Sequence, residues 1–180
     1  MDPSYSGNYY NAAKYYYFTP DKIWSIIYAE IFINIEPLSA RTTEVKSLLL
    51  DSYKKLFSDG MKDLKGKNNF EQAFIESMGK ANAIAENGIN AETLTMIRTR
   101  FVLDWFEKYA SKFPFRLFEY HQQLLREGIF PAYNQWIFGA TENLQAYQTW
   151  TTEHAAEYGD FTNFQKGRIF KVPTGQYYHK

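Results

Sequence analysis

Side chains able to carry protons, electrons or metal ions are few and scattered in this sequence. None of its 180 residues is cysteine, which excludes a disulfide framework, a thiolate metal site and a cysteine nucleophile. Three histidines, His121, His154 and His179, remain for metal or acid/base work. His121 follows Glu119 by two positions, and helical residues two apart point to different faces. That spacing is neither the paired-histidine zinc motif nor the Glu-x-x-His di-metal motif. His121 titrates near neutrality and is a general-base candidate; a surface or structurally hydrogen-bonded histidine is the reading we favour. His154 and Glu157 share a helix face, yet zinc wants three or four protein ligands. No phosphate-cradling glycine loop, nucleophile elbow or calcium loop is present. We therefore expect no catalytic constellation, no metal, no cofactor and no enzyme activity.

Charge and aromatic rings are the other resources. Arg98 and Arg100 sit inside Met96-Ile97-Arg98-Thr99-Arg100-Phe101. A guanidinium offers a planar fork suited to an anion or a peptide carboxylate. The alternatives are an intramolecular ion pair, with Asp104 or a carboxylate on a neighbouring helix, or a solvated face with a buried stem. Arg116 shares these readings. Fifteen Tyr, fifteen Phe and four Trp make 19% of the chain; disordered chains lack aromatics, so this one folds. Tryptophan is enriched at interface hot spots, but is equally at home in a core. Trp24, Tyr28, Arg98, Arg100, Arg116, Trp136 and Trp150 are the partner-binding candidates. The segments 130–136 and 143–150 place amides beside rings, a mixture suited to peptide or carbohydrate contacts or to a core whose Tyr and Trp need polar partners.

After Asp160 no acidic residue occurs, while Lys166, Arg168, Lys171 and Lys180 alternate with Phe164, Phe170, Tyr177 and Tyr178. Basic plus aromatic suits single-stranded nucleic acid. The chain, however, balances 20 Lys+Arg against 20 Asp+Glu, and a dedicated nucleic-acid binder carries a basic excess. We expect no nucleic-acid partner and a tail that docks its rings on the body with its charges outward.

The elements that must position these residues read as helices punctuated by Gly and Pro. Residues 7–18, rich in Tyr, form a short helix or an extended arm. Thr19 and Pro20 open a helix over 20–35 that is apolar nearly all round, from Ile23 to Ile35. Such a helix is central in a core or half-buried in a partner. A second helix covers 40–58, with Val45, Leu48, Leu49, Tyr53, Leu56 and Phe57 at helical period. Residues 61–69 read as a basic loop. A long helix runs over 69–87 from an Asn69 cap to Gly88. The next is capped by Asn90 and broken at Phe113-Pro114. Further helices span 115–127, 131–138, closed by Gly139, and 142–158, capped by Thr141; residues 159–180 form the tail. The expectation is an all-α single domain over 1–180, an antiparallel bundle or repeat-like array of about six to eight helices. No basic and apolar leader opens the chain and no apolar run is long enough for a membrane span, so a cytoplasmic location is expected.

Residues 21–57, DKIWSIIYAEIFINIEPLSARTTEVKSLLLDSYKKLF, resemble the junction between two tetratricopeptide repeats: a helix ends at Pro37, and the next presents Leu49 and Tyr53 four apart. The segment 113–139, FPFRLFEYHQQLLREGIFPAYNQWIFG, resembles an uncharacterised bacterial helical family. The repeat resemblance implies a peptide- or protein-binding scaffold. Three functions are carried forward. The first is a non-enzymatic interaction module with an aromatic helical surface for a protein partner. The second is a self-associating structural subunit of a larger assembly. The third is a small-ligand binder or enzyme with a pocket lined by Trp105, Trp136 and Tyr147.

Overall fold

Residues 3–61, 66–176 and 178–179 are described by a computed structural model, and they form helices and turns with no strand among them. The tyrosine-rich start is helical, α1 (Ser6–Tyr17). Helix α2 (Lys22–Ile35) follows after four residues and packs back along it; Asp21 precedes it, so it begins later than the Thr19-Pro20 signal. Every residue from Ile23 to Ile33 is buried. Of the two readings of this helix, the central one holds: α2 is the axis of the core. Small residues allow its close contacts. Ser25, fully buried, donates to the Ala13 carbonyl of α1 at 3.2 Å and meets the Ser52 hydroxyl of α3 (Ala40–Lys55) at 2.9 Å. Tyrosines of α1 clasp α3 from outside: Tyr10 donates to Glu44 at 2.8 Å and Tyr17 to Asp51 at 2.6 Å.

A π turn (Leu56–Gly60) ends α3. Of the expected basic loop at 61–69, residues 62–65 lie outside the described residues. Helix α4 (Asn69–Gly79) is capped by Asn68, not Asn69: its side chain accepts from the Phe70 and Glu71 amides, and Glu71 accepts in return from the Asn68 amide at 2.7 Å. This is a reciprocal cap that satisfies amides the first turn leaves free. The long helix expected over 69–87 is interrupted. Gly79 weakens it, the chain turns at Lys80–Ala81, and a single turn, α5 (Asn82–Ala85), carries it to Gly88. Helix α6 (Ala91–Lys108), capped by Asn90, packs against α4 and α5. After Phe113-Pro114 comes α7 (Arg116–Arg126), closed by Gly128 at φ +72°, a left-handed position that glycine occupies without strain.

Helix α8 (Phe130–Asn134) runs straight into a second π turn (Gln135–Gly139) and on into α9 (Ala140–Glu142). Gly139 does not stop the helix as expected; its φ is −57°. A side chain there would collide with Tyr147, whose ring lies 2.6 Å from where a Cβ would sit. Its role is close packing. The long helix expected over 142–158 is two: α10 (Leu144–Glu153), capped by Asn143 rather than Thr141, and α11 (Ala155–Lys166). The break falls at His154, whose ring stacks on Trp150 at 4.4 Å and whose Nδ1 lies 3.1 Å from the Trp150 carbonyl. A side chain that reaches its own helix's carbonyls competes with regular backbone pairing.

Beyond α11 the tail crosses the body, as the docked reading expects. Gln176 accepts from the Arg116 amide at 2.7 Å. Tyr178 stacks on Phe70 at 4.7 Å and donates to the Pro114 carbonyl at 2.8 Å. The His179 ring meets Trp24 edge-on at 4.8 Å and the Tyr16 hydroxyl at 2.8 Å. Tyr177 and Lys180 lie outside the described residues. Beneath the tail, Trp24, Phe70, Phe74, Phe101, Trp105 and Phe118 form a continuous aromatic core.

Candidate functional site

Glu30 is a carboxylate midway along the most apolar helix of the chain, only 1% exposed. A charge in such a place must be paired and hydrogen-bonded, and the elements around α2 supply the partners. Arg98 from α6, also 1% exposed, donates to Glu30 Oε1 from Nη2 and to Asn134 Oδ1 from Nη1. His121 from α7 places Nε2 2.8 Å from the same carboxylate oxygen. Tyr133 from α8 donates its hydroxyl to that oxygen, also at 2.8 Å, and accepts from the Asn34 amide at 2.7 Å. Asn134 is anchored by donating to the Phe130 carbonyl at 2.7 Å. Three helices, α6, α7 and α8, thus each send a polar group to a single oxygen, and α8 sends a second, Asn134, to the arginine facing it. The guanidinium is further enclosed by Phe130, Tyr133 and Phe138, whose ring centres lie 5.2–5.5 Å away, a favourable setting for a desolvated cation.

Burial alone would push the Glu30 carboxyl up. The Arg98 charge, then the His121 ring and the hydrogen bonds from His121 and Tyr133 overcome it and hold the group down at about 2. Burial pushes His121 the other way, below its ordinary value, and the Arg98 charge adds to this while Glu30 opposes it. The ring is therefore neutral. With Glu30 ionised, His121 carries its proton on Nε2 and donates it to the carboxylate, so the 3.2 Å approach of Arg98 Nη2 to Nε2 is a contact between two donors. Burial also pushes the Tyr133 hydroxyl far above its ordinary range, so it stays a donor. The cavity that borders the cluster, between Glu30, Tyr53, Arg98 and His121, measures about 10 Å³. That is the scale of one water. The cluster has no room for a substrate, and its chemistry is to lock α2, α6, α7 and α8 in register.

The partner-binding candidates separate on this framework. Trp24, Tyr28 and Arg98 are 2%, 8% and 1% exposed and leave the set of surface candidates. Trp24 stacks on Phe70 and donates its indole N–H to Glu71 at 2.7 Å. Arg98 forms the expected intramolecular ion pair with a neighbouring helix; Asp104 instead pairs with Lys80 and Lys108. Arg100 is exposed on α6, and Arg116 is half-buried at the start of α7. Trp136 is half-buried, with one face under the Lys46 ammonium at 3.9 Å. Trp150, half-buried on α10, has one face under His154.

The three rings expected to line one pocket do not meet: Trp105 lies apart, while Trp136 and Tyr147 are joined through Phe161 and Tyr158. Trp105 packs on Phe101 and Phe118, Trp136 on Tyr133 and Phe161, and Tyr147 on Tyr158. Tyr133 and Asn134 fall in the 130–136 segment, where a core whose tyrosine needs a polar partner is one of the two readings, whereas neither Glu30 nor Asn34 was among the predicted residues. The signal that could have found the cluster is Glu30 itself, a lone carboxylate inside the run from Ile23 to Ile35.

Among the described helices longer than a single turn, α10 alone has no buried residue, and its Leu144 is 58% exposed. It touches the body through Tyr147, over Gly139, and through Trp150. Its outer side shows Gln145, Gln148, Thr149 and Thr152, with Glu142 and Glu153 at the ends and no Lys or Arg along its length. Among the described residues no group of His, Cys, Asp and Glu is arranged to hold a metal ion, and no helix is long and apolar enough to cross a membrane. No family model, curated protein or solved structure matches this chain.

Proposed function

We propose that this chain is a non-enzymatic interaction module, and that α10 is the element a protein partner covers. The observation that carries this reading is a ten-residue helix without one buried residue. Isolated helices this short are marginal in water, and most helices in proteins owe their stability to a packed face. An uncharged face of Leu, Gln and Thr with carboxylates at both ends suits a partner segment with apolar anchors and flanking Lys or Arg. The resemblance of residues 21–57 to a tetratricopeptide junction supports the same class by analogy.

The test compares the wild-type chain with a Leu144→Lys, Gln148→Lys double variant. Both substitutions are on exposed positions, and the melting temperature should stay unchanged. Proteins co-purifying with the wild type, identified by mass spectrometry, should be lost with the variant. Light scattering behind size-exclusion chromatography separates the occupants: a wild-type dimer that the variant dissociates makes the partner a second copy. Identical co-purifying proteins and a monomer in both cases would reject α10 as the docking element.

A further inference from the structure

Asn34 also borders a second cavity, about 30 Å³, lined by Asn34, Arg116, Tyr120, Gln165 and Arg168 and closed by Phe170. Its walls come from α2, α7, α11 and the first residues of the tail. It carries two guanidiniums and no carboxylate. The nearest acid to Arg116 is Glu119, at 3.9 Å and outside hydrogen-bond reach, and Arg168 makes no ion pair among the described residues. Both are held by rings: Arg168 lies 4.1 Å from the centre of Phe164, and Arg116 lies 5.9 Å from that of Phe170. Arg116 is fixed further by its amide's bond to Gln176.

Tyr120, only 5% exposed, lines the same cavity, and its hydroxyl makes no hydrogen bond among the described residues. The residue is buried but its hydroxyl opens onto the cavity, which it shares with two cations. Burial pushes the Tyr120 phenol up to about 12, with Glu30 adding to this and Arg168 and Arg116 opposing it. It is therefore a hydrogen-bond donor at neutral pH, as are both guanidiniums and the Gln165 amide, whereas Asn34 donates to the Glu30 carbonyl and the Tyr133 hydroxyl.

We propose that this cavity is a phosphate-binding site, in which Arg116 and Arg168 pair with the anion and Tyr120 and Gln165 donate hydrogen bonds to it. A lining dominated by donors suits an oxyanion, which mainly accepts, and the Asn34 side-chain carbonyl oxygen is left for the one O–H of hydrogen phosphate. Two fixed positive charges without an acid match a phosphate dianion better than a singly charged carboxylate. At about 30 Å³ the enclosed part holds roughly two or three oxygens, so a phosphate would seat those and leave the rest, with anything it is carried on, beside exposed Arg168 and Ile169. Recognition of this kind is independent of α10.

Calorimetric titration of the full chain with inorganic phosphate and with glycerol phosphate, at constant ionic strength, tests the site. Binding of either supports it, and the tighter one tells free phosphate from phosphate carried on an organic molecule. Arg116→Gln and Arg168→Gln should each weaken binding about tenfold or more, the usual scale for a lost charge-assisted hydrogen bond. Tyr120→Phe should weaken it less. Arg126→Gln, a control at the far end of α7, should leave it unchanged. Each variant's melting temperature in chloride establishes that it is folded. Because Arg116 is half-buried and its loss could unfold α7, exposed Arg168 alone decides the matter: binding that survives Arg168→Gln overturns the site. So does acetate binding as tightly as phosphate, no heat above the chloride control, or an Arg126→Gln loss equal to that of Arg168→Gln.

Discussion

Glu30 and Arg98 are each nearly sealed from water, and each is tolerated only because the other is present. Removing one partner of a buried pair leaves an uncompensated charge and costs about 3–5 kcal/mol. Arg98→Met and Glu30→Gln should each fall in or near that range by urea unfolding. The double variant Glu30→Leu, Arg98→Met should cost clearly less than the two singles summed, because replacing a buried pair by apolar residues is often nearly neutral. Simple additivity would mean that the pair is not coupled. The same groups set the acid response. The His121 ring holds its proton less readily folded than unfolded, so protonation favours unfolding, and stability falls as pH drops below the ring's ordinary 6.5. The Glu30 carboxyl, held at about 2 against an ordinary 4.5, adds a second loss as pH falls from about 4.5 toward 2. His121→Gln keeps a donor for Glu30 and removes the first loss. Its urea midpoint should therefore change less between pH 7 and 5 than that of the wild type, and an identical slope would place the titration elsewhere.

The helices differ in what holds them. Helix α2 is fixed from all sides and its boundaries follow from burial, whereas α10 rests on the body at Gly139 and Trp150. Gly139→Ala places a methyl 2.5 Å from the Gln135 amide oxygen and 2.6 Å from the Tyr147 ring. Overpacking of this kind costs about 1–3 kcal/mol, and here relief requires α10 to move away. Hydrogen exchange should show faster opening of 144–153 with little change in α2; a uniform change across the chain would contradict this local seat. The two helix breaks show how far periodicity carries. The seams over 69–87 and 142–158 are real, but Gly79 and His154 interrupt them. A glycine signal is readable in advance, whereas the His154 break depends on where its ring comes to lie.

Over the whole molecule, the chain ends are joined. The tail runs from α11 across the start of α7 to Phe70 and Trp24, so residues more than a hundred positions apart share one aromatic stack. Tyr178→Ala removes a half-buried ring stacked at 4.7 Å and a hydrogen bond to Pro114. A loss of about 1–3 kcal/mol is expected, read as a lower melting temperature together with faster exchange at the amide that opens α7. An unchanged melting temperature would mean that the tail only rests on the surface. The sequence by itself determined the helical class, the central place open to α2, and stops such as Gly88, Gly128 and Phe113-Pro114, because each rests on local propensity or on a periodic apolar pattern. It also placed an ion-pair reading on Arg98 and a hydrogen-bonded one on His121. Only the tertiary structure decided that Glu30 is the partner of both, that Trp24 and Tyr28 face inward while α10 does not, and that Arg116 and Arg168 line one cavity with Tyr120. Pairings between residues tens of positions apart depend on how helices cross, and helix crossings are set by packing of side chains from the whole chain at once.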